Sequence, residues 1–90
     1  MAWGELMPTE ILNLYVRRNC HLCEDMHAQL VALQDDYRFS FKVHDVDQSP
    51  DWADAYGEKV PLLMAADVEV CRYFLDLKAF KVFVGVDATP

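Results

Sequence analysis

The stretch ILNLYVRRNCHLCEDMHAQLVALQ, residues 11–34, joins an apolar run to an amphipathic segment through two cysteines. The run at 11–16 is short, apolar and followed by two arginines, a pattern that predicts a buried strand. After it, apolar side chains recur at spacings of four, four and three residues, at Leu22, Met26, Leu30 and Leu33. This stripe predicts a helix over residues 20–34, capped by Asn19 or Cys20. The cysteines therefore lie where a strand passes into a helix.

The following segment predicts a second strand and a second helix. Residues 39–43 alternate between apolar and polar side chains, which is typical of a strand with one buried face. Ser49, Pro50 and Gly57 have the positions of an N-cap, a first-turn proline and a terminating glycine. A short helix is therefore expected between Ser49 and Gly57.

The last third of the chain predicts a hairpin and a final helix. Residues 60–65 and 68–74 are apolar and β-branched runs that predict two antiparallel strands, with Asp67 near the turn. Asp76 has the position of an N-cap for a helix that ends at Gly85. In that helix we expect three residues to face inward: Leu77, Phe80 and Val84.

These elements give the order β-α-β-α-β-β-α within a single domain of 90 residues. The first two strands are joined by a helix, so they should be parallel with a right-handed crossover, whereas the last two are antiparallel. We therefore expect an α/β fold, with a four-stranded mixed sheet and helices on both faces. The expected core spans about residues 11–85, after a loose leader at 1–10.

The composition argues against several classes of function. The formal net charge is −7, and the eight basic residues are mostly scattered, so binding to nucleic acid or to an anionic membrane is disfavoured. No apolar run approaches the ~20 residues that cross a bilayer. The N-terminal residues lack the basic segment of a secretory signal, so we expect a cytoplasmic protein, and we expect it to be a monomer.

The C-x-x-C pair predicts thiol chemistry. At the start of a helix, the free backbone amides of the first turn point at Cys20 and stabilise its thiolate. Cys20 is therefore the expected nucleophile, and Cys23, nearly one turn further on and more shielded, is the expected resolving thiol. Arg18 and a protonated His21 should favour the same thiolate.

The same motif also occurs in zinc sites, so a metal centre is the alternative chemistry. A four-coordinate zinc ion would need two more ligands, from Cys71 and one of His21, His27 and His44. No second ligand pair at short spacing is present, so the sequence favours redox chemistry. Cys71 is expected to be a small buried hydrophobe. Four acidic residues are expected to form a solvated rim: Asp45, Asp47, Asp51 and Asp54.

Three stretches together resemble the glutaredoxin-like members of the thioredoxin superfamily: LYVRRNCHLCEDM at 14–26, KVPLLM at 59–64 and YFLDLKAF at 73–80. With HDVD, YGEKVPLL and the downstream cysteine, the chain is similar to a small bacterial group of glutaredoxin-like proteins of unknown function. The resemblance covers about residues 10–85. It implies a thioredoxin-like fold in which a cis Val60–Pro61 bond faces the dithiol.

The resemblance also implies partners for the dithiol. The backbone of Val60, next to Pro61, would pair with a peptide or with glutathione. Arg17 or Arg18, together with Lys59, would bind the carboxylates of glutathione, and Asp76 would accept its amino end. No cofactor is implied, apart from glutathione as a co-substrate.

Two departures from glutaredoxins bear on these roles. His21-Leu22 replaces the usual Pro-Tyr between the cysteines, and those residues tune the redox potential. The bulky YFLD, residues 73–76, replaces a Gly-Gly turn through which the amino end of glutathione approaches. The sequence therefore predicts a hindered approach for glutathione.

The favoured hypothesis is a thiol–disulfide oxidoreductase of cell redox homeostasis, with Cys20 as nucleophile and Cys23 as resolving thiol. Its substrate would be a disulfide-containing protein or a glutathione mixed disulfide. One alternative is a non-catalytic binding module that docks a partner at the Val60–Pro61 edge. A less favoured alternative is a metal or cluster holder that uses both of these cysteines and Cys71.

Overall fold

The computed structural model describes residues 10–86, in which strands and helices alternate along the chain. The elements are β1 (Glu10–Val16), α1 (His21–Leu33), β2 (Tyr37–Asp45), α2 (Pro50–Tyr56), β3 (Leu62–Ala65), β4 (Val68–Arg72), α3 (Leu77–Phe83) and β5 (Gly85–Val86). A 3-10 turn, Val46–Gln48, separates β2 from α2. The predicted leader lies outside the described residues, except for Glu10 at the start of β1.

The strands form one sheet in the order β4-β3-β1-β2-β5. β1 runs parallel to β2, with Val16 opposite Asp45, and antiparallel to β3, with Tyr15 opposite Leu62. β3 and β4 form the antiparallel hairpin. The predicted element order and four-stranded mixed sheet are confirmed. The two residues of β5 extend that sheet, because they pair antiparallel with the start of β2.

The end of the last helix was predicted wrongly. α3 ends at Phe83, Val84 is extended with φ −123° and ψ 145°, and Gly85 begins β5 instead of terminating the helix. Pairing with β2 therefore overrides the glycine signal. Phe80 and Val84 are buried as expected, but Leu77 is 43% exposed because it is the first helical residue after the cap.

Alternate residues of β1 face opposite sides of the sheet, as the strand geometry requires. Leu12 and Leu14 are fully buried in the main core, which also contains Met26 and Leu30 of α1 and Phe80 of α3. Tyr15 faces the other way and lies against a polar and aromatic cluster formed by His44, Trp52 and Tyr56. α1 and α3 therefore cover one face and α2 the other, as expected.

Local capping explains where the helices start. The Ser49 hydroxyl accepts a hydrogen bond from the Trp52 amide at 3.3 Å, with Pro50 in the first turn of α2. The Asp76 carboxylate accepts one from the Ala79 amide at 3.1 Å. Both caps were predicted. Within residues 10–86, no helix is long and apolar enough to cross a membrane.

Candidate active site

The two cysteines of the C-x-x-C motif lie after the end of β1, with Cys20 at the N-cap of α1 and Cys23 in its first turn. Asn19 has a left-handed φ of 56°, a conformation that asparagine tolerates better than most residues. Cys20 then caps α1, with an extended backbone at φ −117° and ψ 102°. Cys20 and Cys23 are joined by a disulfide bond, and their Cα atoms are 5.2 Å apart. The predicted strand–dithiol–helix arrangement is therefore present.

The two sulfur atoms have different surroundings. Cys20 is partly exposed, whereas Cys23 faces the core and is only 4% exposed. The Cys23 amide donates a hydrogen bond to the Cys20 sulfur at 3.1 Å. This donor belongs to the first turn of α1, where the helix dipole favours negative charge. The arrangement stabilises charge on the exposed sulfur and shields the second one.

Arg17 is held by residues that are distant in sequence. Its Nε and Nη2 atoms each donate to a different carboxylate oxygen of Asp47 at 3.0 Å, and Nη1 donates to the Gly57 carbonyl oxygen at 3.1 Å. The hydrogen bonds from Arg17 hold the pKa of Asp47 below its usual value, and those to Asp47 raise the pKa of Arg17. Asp47 was expected only in a solvated rim. The glutathione role of Arg17 stays a prediction, and a ligand would compete with these partners.

Gly57 allows this close approach of Arg17. A Cβ atom added at Gly57 would lie 2.5 Å from the Ala53 carbonyl oxygen and 3.2 Å from Nη2 of Arg17. Both distances are shorter than an ordinary van der Waals contact, so a side chain there would displace the guanidinium. The sequence predicted Gly57 as the end of α2, and it does cap that helix. The packing role was not predicted.

The loop before β3 lies at the same end of the sheet as the dithiol, because Leu62 pairs with Tyr15 near the end of β1. The Val60–Pro61 bond is cis, as the resemblance implied. Tyr73 crosses this loop: its amide donates to the Pro61 carbonyl at 2.8 Å and its hydroxyl to the Glu58 carbonyl at 3.0 Å. Lys59 is half-buried, in the turn after α2.

Tyr73 has a left-handed φ of 68°. This conformation costs a non-glycine residue about 1–2 kcal/mol, and it occurs in the segment where glutaredoxins carry glycines. Phe74 follows and is 69% exposed. The hindered approach of glutathione stays a prediction; the Tyr73 hydroxyl, bonded to the Glu58 carbonyl, holds the ring beside the loop before β3.

A cleft of about 250 Å³ opens on the other side of the dithiol. Its walls are residues of β1, β2 and α1, together with the loop that joins β1 to α1: Val16, Arg17, Cys20, Cys23, Glu24, His27 and Val43. None of these lining residues belongs to β3 or to the loop before it. Val43 could not be predicted as a neighbour of the cysteines, because its proximity depends on the parallel pairing of β1 with β2. His27 lies one helical turn after Cys23 on α1, a spacing that is readable from the sequence.

Of the remaining predicted residues, two are exposed near the dithiol, one caps a helix and one is buried in a strand. Arg18 and His21 are exposed, two residues before and one residue after Cys20 in the chain. Asp76 caps α3 through its carboxylate. Cys71 is buried in β4, and burial raises the pKa of its thiol. In the part of the chain that the structure describes, no three side chains of the metal-binding types converge.

Comparison with known proteins places the chain in a family. A model of the glutaredoxin-like domain (DUF836) matches residues 11–84. The chain belongs to this family. The glutaredoxin-like resemblance inferred from the sequence is thus confirmed. The roles assigned to individual residues of the family motif stay predictions.

Two solved structures are similar to this glutaredoxin-like chain. Protein Ne2328 from Nitrosomonas europaea, solved by solution NMR, is 34% identical with a TM-score of 0.79; the match covers 88% of this chain and 95% of that one. A structure described as a malarial protein is 18% identical with a TM-score of 0.60, over 84% of this chain and 98% of that one, and shares the fold alone. No curated protein matches the chain. The fold is α/β and thioredoxin-like.

Proposed function

We propose that this glutaredoxin-like protein is a thiol–disulfide oxidoreductase, with Cys20 as nucleophile and Cys23 as resolving thiol. The observation that carries the proposal is the asymmetry of the pair at the start of α1. One sulfur is accessible and accepts an amide hydrogen bond, while the other is nearly buried 5.2 Å away between Cα atoms. A nucleophile needs access, and a resolving thiol needs proximity without exposure.

The reaction begins from the reduced protein. The Cys20 thiolate attacks one sulfur of the substrate disulfide, which breaks that bond and releases the first substrate thiol after it takes up a proton. The Cys23 thiol then loses its proton and attacks the Cys20 sulfur of the mixed disulfide, which releases the second substrate thiol. The substrate gains two electrons and two protons. The protein is left with its Cys20–Cys23 disulfide, which an external dithiol or a pair of thiols reduces.

Three features of the chain assist the first attack. The Cys23 amide and the positive end of α1 stabilise the negative charge on Cys20. Arg18 and His21, which are exposed and flank Cys20 in the sequence, add positive charge when protonated. Arg17 adds less, because Asp47 already compensates its charge. Glu24, exposed in the first turn, acts in the opposite direction.

The proposal includes a setting and partners. The substrate is a disulfide-containing protein or a glutathione mixed disulfide, the reaction uses no bound cofactor, and it takes place in the cytoplasm. Lys59, Val60, Pro61 and Asp76 would contact a peptide or glutathione on the β3 side. The Tyr73 ring would have to be accommodated there as well.

The direct test is turnover of a disulfide substrate by three purified proteins. Wild type should reduce a mixed-disulfide substrate catalytically in a dithiol buffer, and Cys20→Ser should abolish this activity. Cys71→Ser is the matched control, because it removes a buried thiol of β4 and should keep activity within about twofold. Equal activity in Cys20→Ser and wild type would overturn the proposal and favour the binding-module alternative.

A further inference from the structure

The resolving thiol needs a proton acceptor that the core of the protein does not provide. Cys23 is only 4% exposed, and a thiol attacks a disulfide only after it has lost its proton. Within residues 10–86, no polar or charged side chain is buried. The side chains that can take this proton are therefore those of the cleft on the β2 side of the dithiol, where both cysteines form part of the wall.

Besides the cysteines, three titratable side chains line this cleft: Arg17, Glu24 and His27. A guanidinium stays protonated in proteins, so Arg17 accepts no proton. Glu24 follows Cys23 directly in α1, and adjacent residues of a helix do not face each other. His27 is the remaining group, and an imidazole takes up and releases protons near neutral pH.

The geometry of α1 directs His27 towards Cys23. The two residues are four positions apart on the same face of the helix, a spacing at which Cβ atoms lie about 5–6 Å apart. The Cα–Cβ bonds of a helix tilt towards its N-terminus, so the His27 ring leans back over the turn that carries Cys23. On the β2 side, the ring meets Phe41 edge-on with centroids 5.4 Å apart. Phe41 packs against the core and so holds the ring beside the cleft.

We propose that His27 is the general base of the resolving step: a ring nitrogen accepts the proton of the Cys23 thiol as that sulfur attacks Cys20. The inference rests on the proposed function and deepens it by naming the acceptor of this proton. A bond forms between the two cysteine sulfurs, and the bond from Cys20 to the substrate sulfur breaks, with its electron pair leaving on the substrate. The substrate thiolate takes up a proton from water, and the imidazolium releases the proton that it accepted.

A kinetic experiment follows the mixed disulfide on Cys20 through time. Reduced protein is mixed with a short peptide whose one cysteine is linked to thionitrobenzoate, acid stops the reaction at intervals, and intact mass gives the fraction of protein that carries peptide. Formation of this adduct reports the attack by Cys20, and its decay reports the attack by Cys23. His27→Gln should slow the decay on the order of a hundredfold, as is typical for loss of a general base, and keep formation within about twofold of wild type.

Two further readouts separate a base from a residue that only shapes the cleft. Added free imidazole should speed the decay in His27→Ala, and more than in wild type. From about pH 7 to 8, the decay in His27→Gln should rise roughly tenfold, because its thiolate forms only by proton loss to solvent, whereas wild type should change less. His44→Gln is the matched control: it makes the same chemical change at a residue that stacks on Tyr15, on the other face of the sheet, and should leave both rates unchanged.

Failure of this inference and failure of the proposed function give different results. No adduct on Cys20 in Cys23→Ser would overturn the proposed function and this inference with it. An adduct that forms there, but decays as fast in His27→Gln as in wild type, would overturn the inference alone. A slow decay that imidazole does not restore in His27→Ala would also overturn it, because His27 would then have only a structural role.

Discussion

The β2 side and the β3 side of the dithiol are built differently, although both adjoin the end of the same strand, β1. On the β2 side, Arg17 forms an ion pair with Asp47 and also bonds to the Gly57 carbonyl at the end of α2. A cleft lined in part by Val43 lies beside it. On the β3 side, the hydroxyl and the backbone amide of Tyr73 donate hydrogen bonds to the Glu58 and Pro61 carbonyls of the loop before β3. The comparison teaches that one dithiol can adjoin two surfaces of different construction: a cleft beside an ion pair on one side, and a loop bonded to a tyrosine on the other.

The largest expected effect comes from Gly57→Ala, which breaks the β2 side. The added Cβ would press on the Ala53 carbonyl and on the Arg17 guanidinium. Overpacking of this kind costs about 1–3 kcal/mol of unfolding free energy, measurable by urea denaturation. Asp47→Asn is the matched comparison, because it removes the charge and leaves the space around Gly57 unchanged; it should cost less. If Gly57→Ala is as stable as wild type, the close packing of Arg17 on Gly57 is wrong.

The next effect comes from Tyr73→Gly, which opens the β3 side. Glycine adopts a φ of 68° without strain, so the turn should persist when the ring is removed. Turnover of a glutathione mixed disulfide should then rise on the order of tenfold, since one obstructing group is removed from a binding pocket.

Tyr73→Phe is the control for this change, because it keeps the ring and loses only the hydroxyl bond to Glu58. It should leave glutathione turnover close to that of wild type. Unchanged turnover in Tyr73→Gly would show that the ring does not limit the access of glutathione to the dithiol. The β3 side would then not be closed by Tyr73.

The smallest effect is a pH dependence of stability on the β2 side. Burial lowers the pKa of His44 from its usual value near 6.5, and the charge of Lys42 acts in the same direction. Between the folded and the unfolded pKa, His44 is therefore protonated more in the unfolded chain than in the folded protein. Above about pH 6.5 it is neutral in both states and does not affect stability. Stability then falls as the pH drops from there towards the folded pKa.

His44→Gln should remove this component while keeping a donor for the Asn13 side chain, which accepts at 2.8 Å from Nε2 of the histidine. Urea denaturation of both proteins from pH 7.5 to about pH 5, the range set by the ordinary histidine pKa, provides the measurement. As the pH falls, the unfolding free energy of wild type should decrease more than that of His44→Gln, so the variant gains stability relative to wild type. Parallel profiles would show that His44 is not the responsible group.

Local signals were enough to predict most of the fold. The caps at Ser49 and Asp76, the apolar stripe of α1 and the strand–dithiol–helix order are each written within a few residues. The cis Val60–Pro61 bond came from family resemblance instead. These features hold in the structure because neighbouring residues determine them.

Features that depend on distant pairing could not be predicted. The ion pair of Arg17 with Asp47 joins residues 30 positions apart, and β5 exists only because Gly85 and Val86 reach the start of β2. The left-handed φ of Tyr73 lies at a residue type that disfavours it, so no propensity indicates it. The cleft beside Val43 likewise needs the parallel register of β1 and β2.

The central claim is that Cys20 attacks a disulfide and Cys23 resolves the resulting mixed disulfide. The most direct measurement is intact-mass and peptide-mapping spectrometry of Cys23→Ser after reaction with a short peptide that carries one cysteine as a mixed disulfide. The account predicts a persistent adduct on Cys20, and no adduct on the buried Cys71. No adduct on Cys20, or modification of Cys71 in its place, would contradict the account.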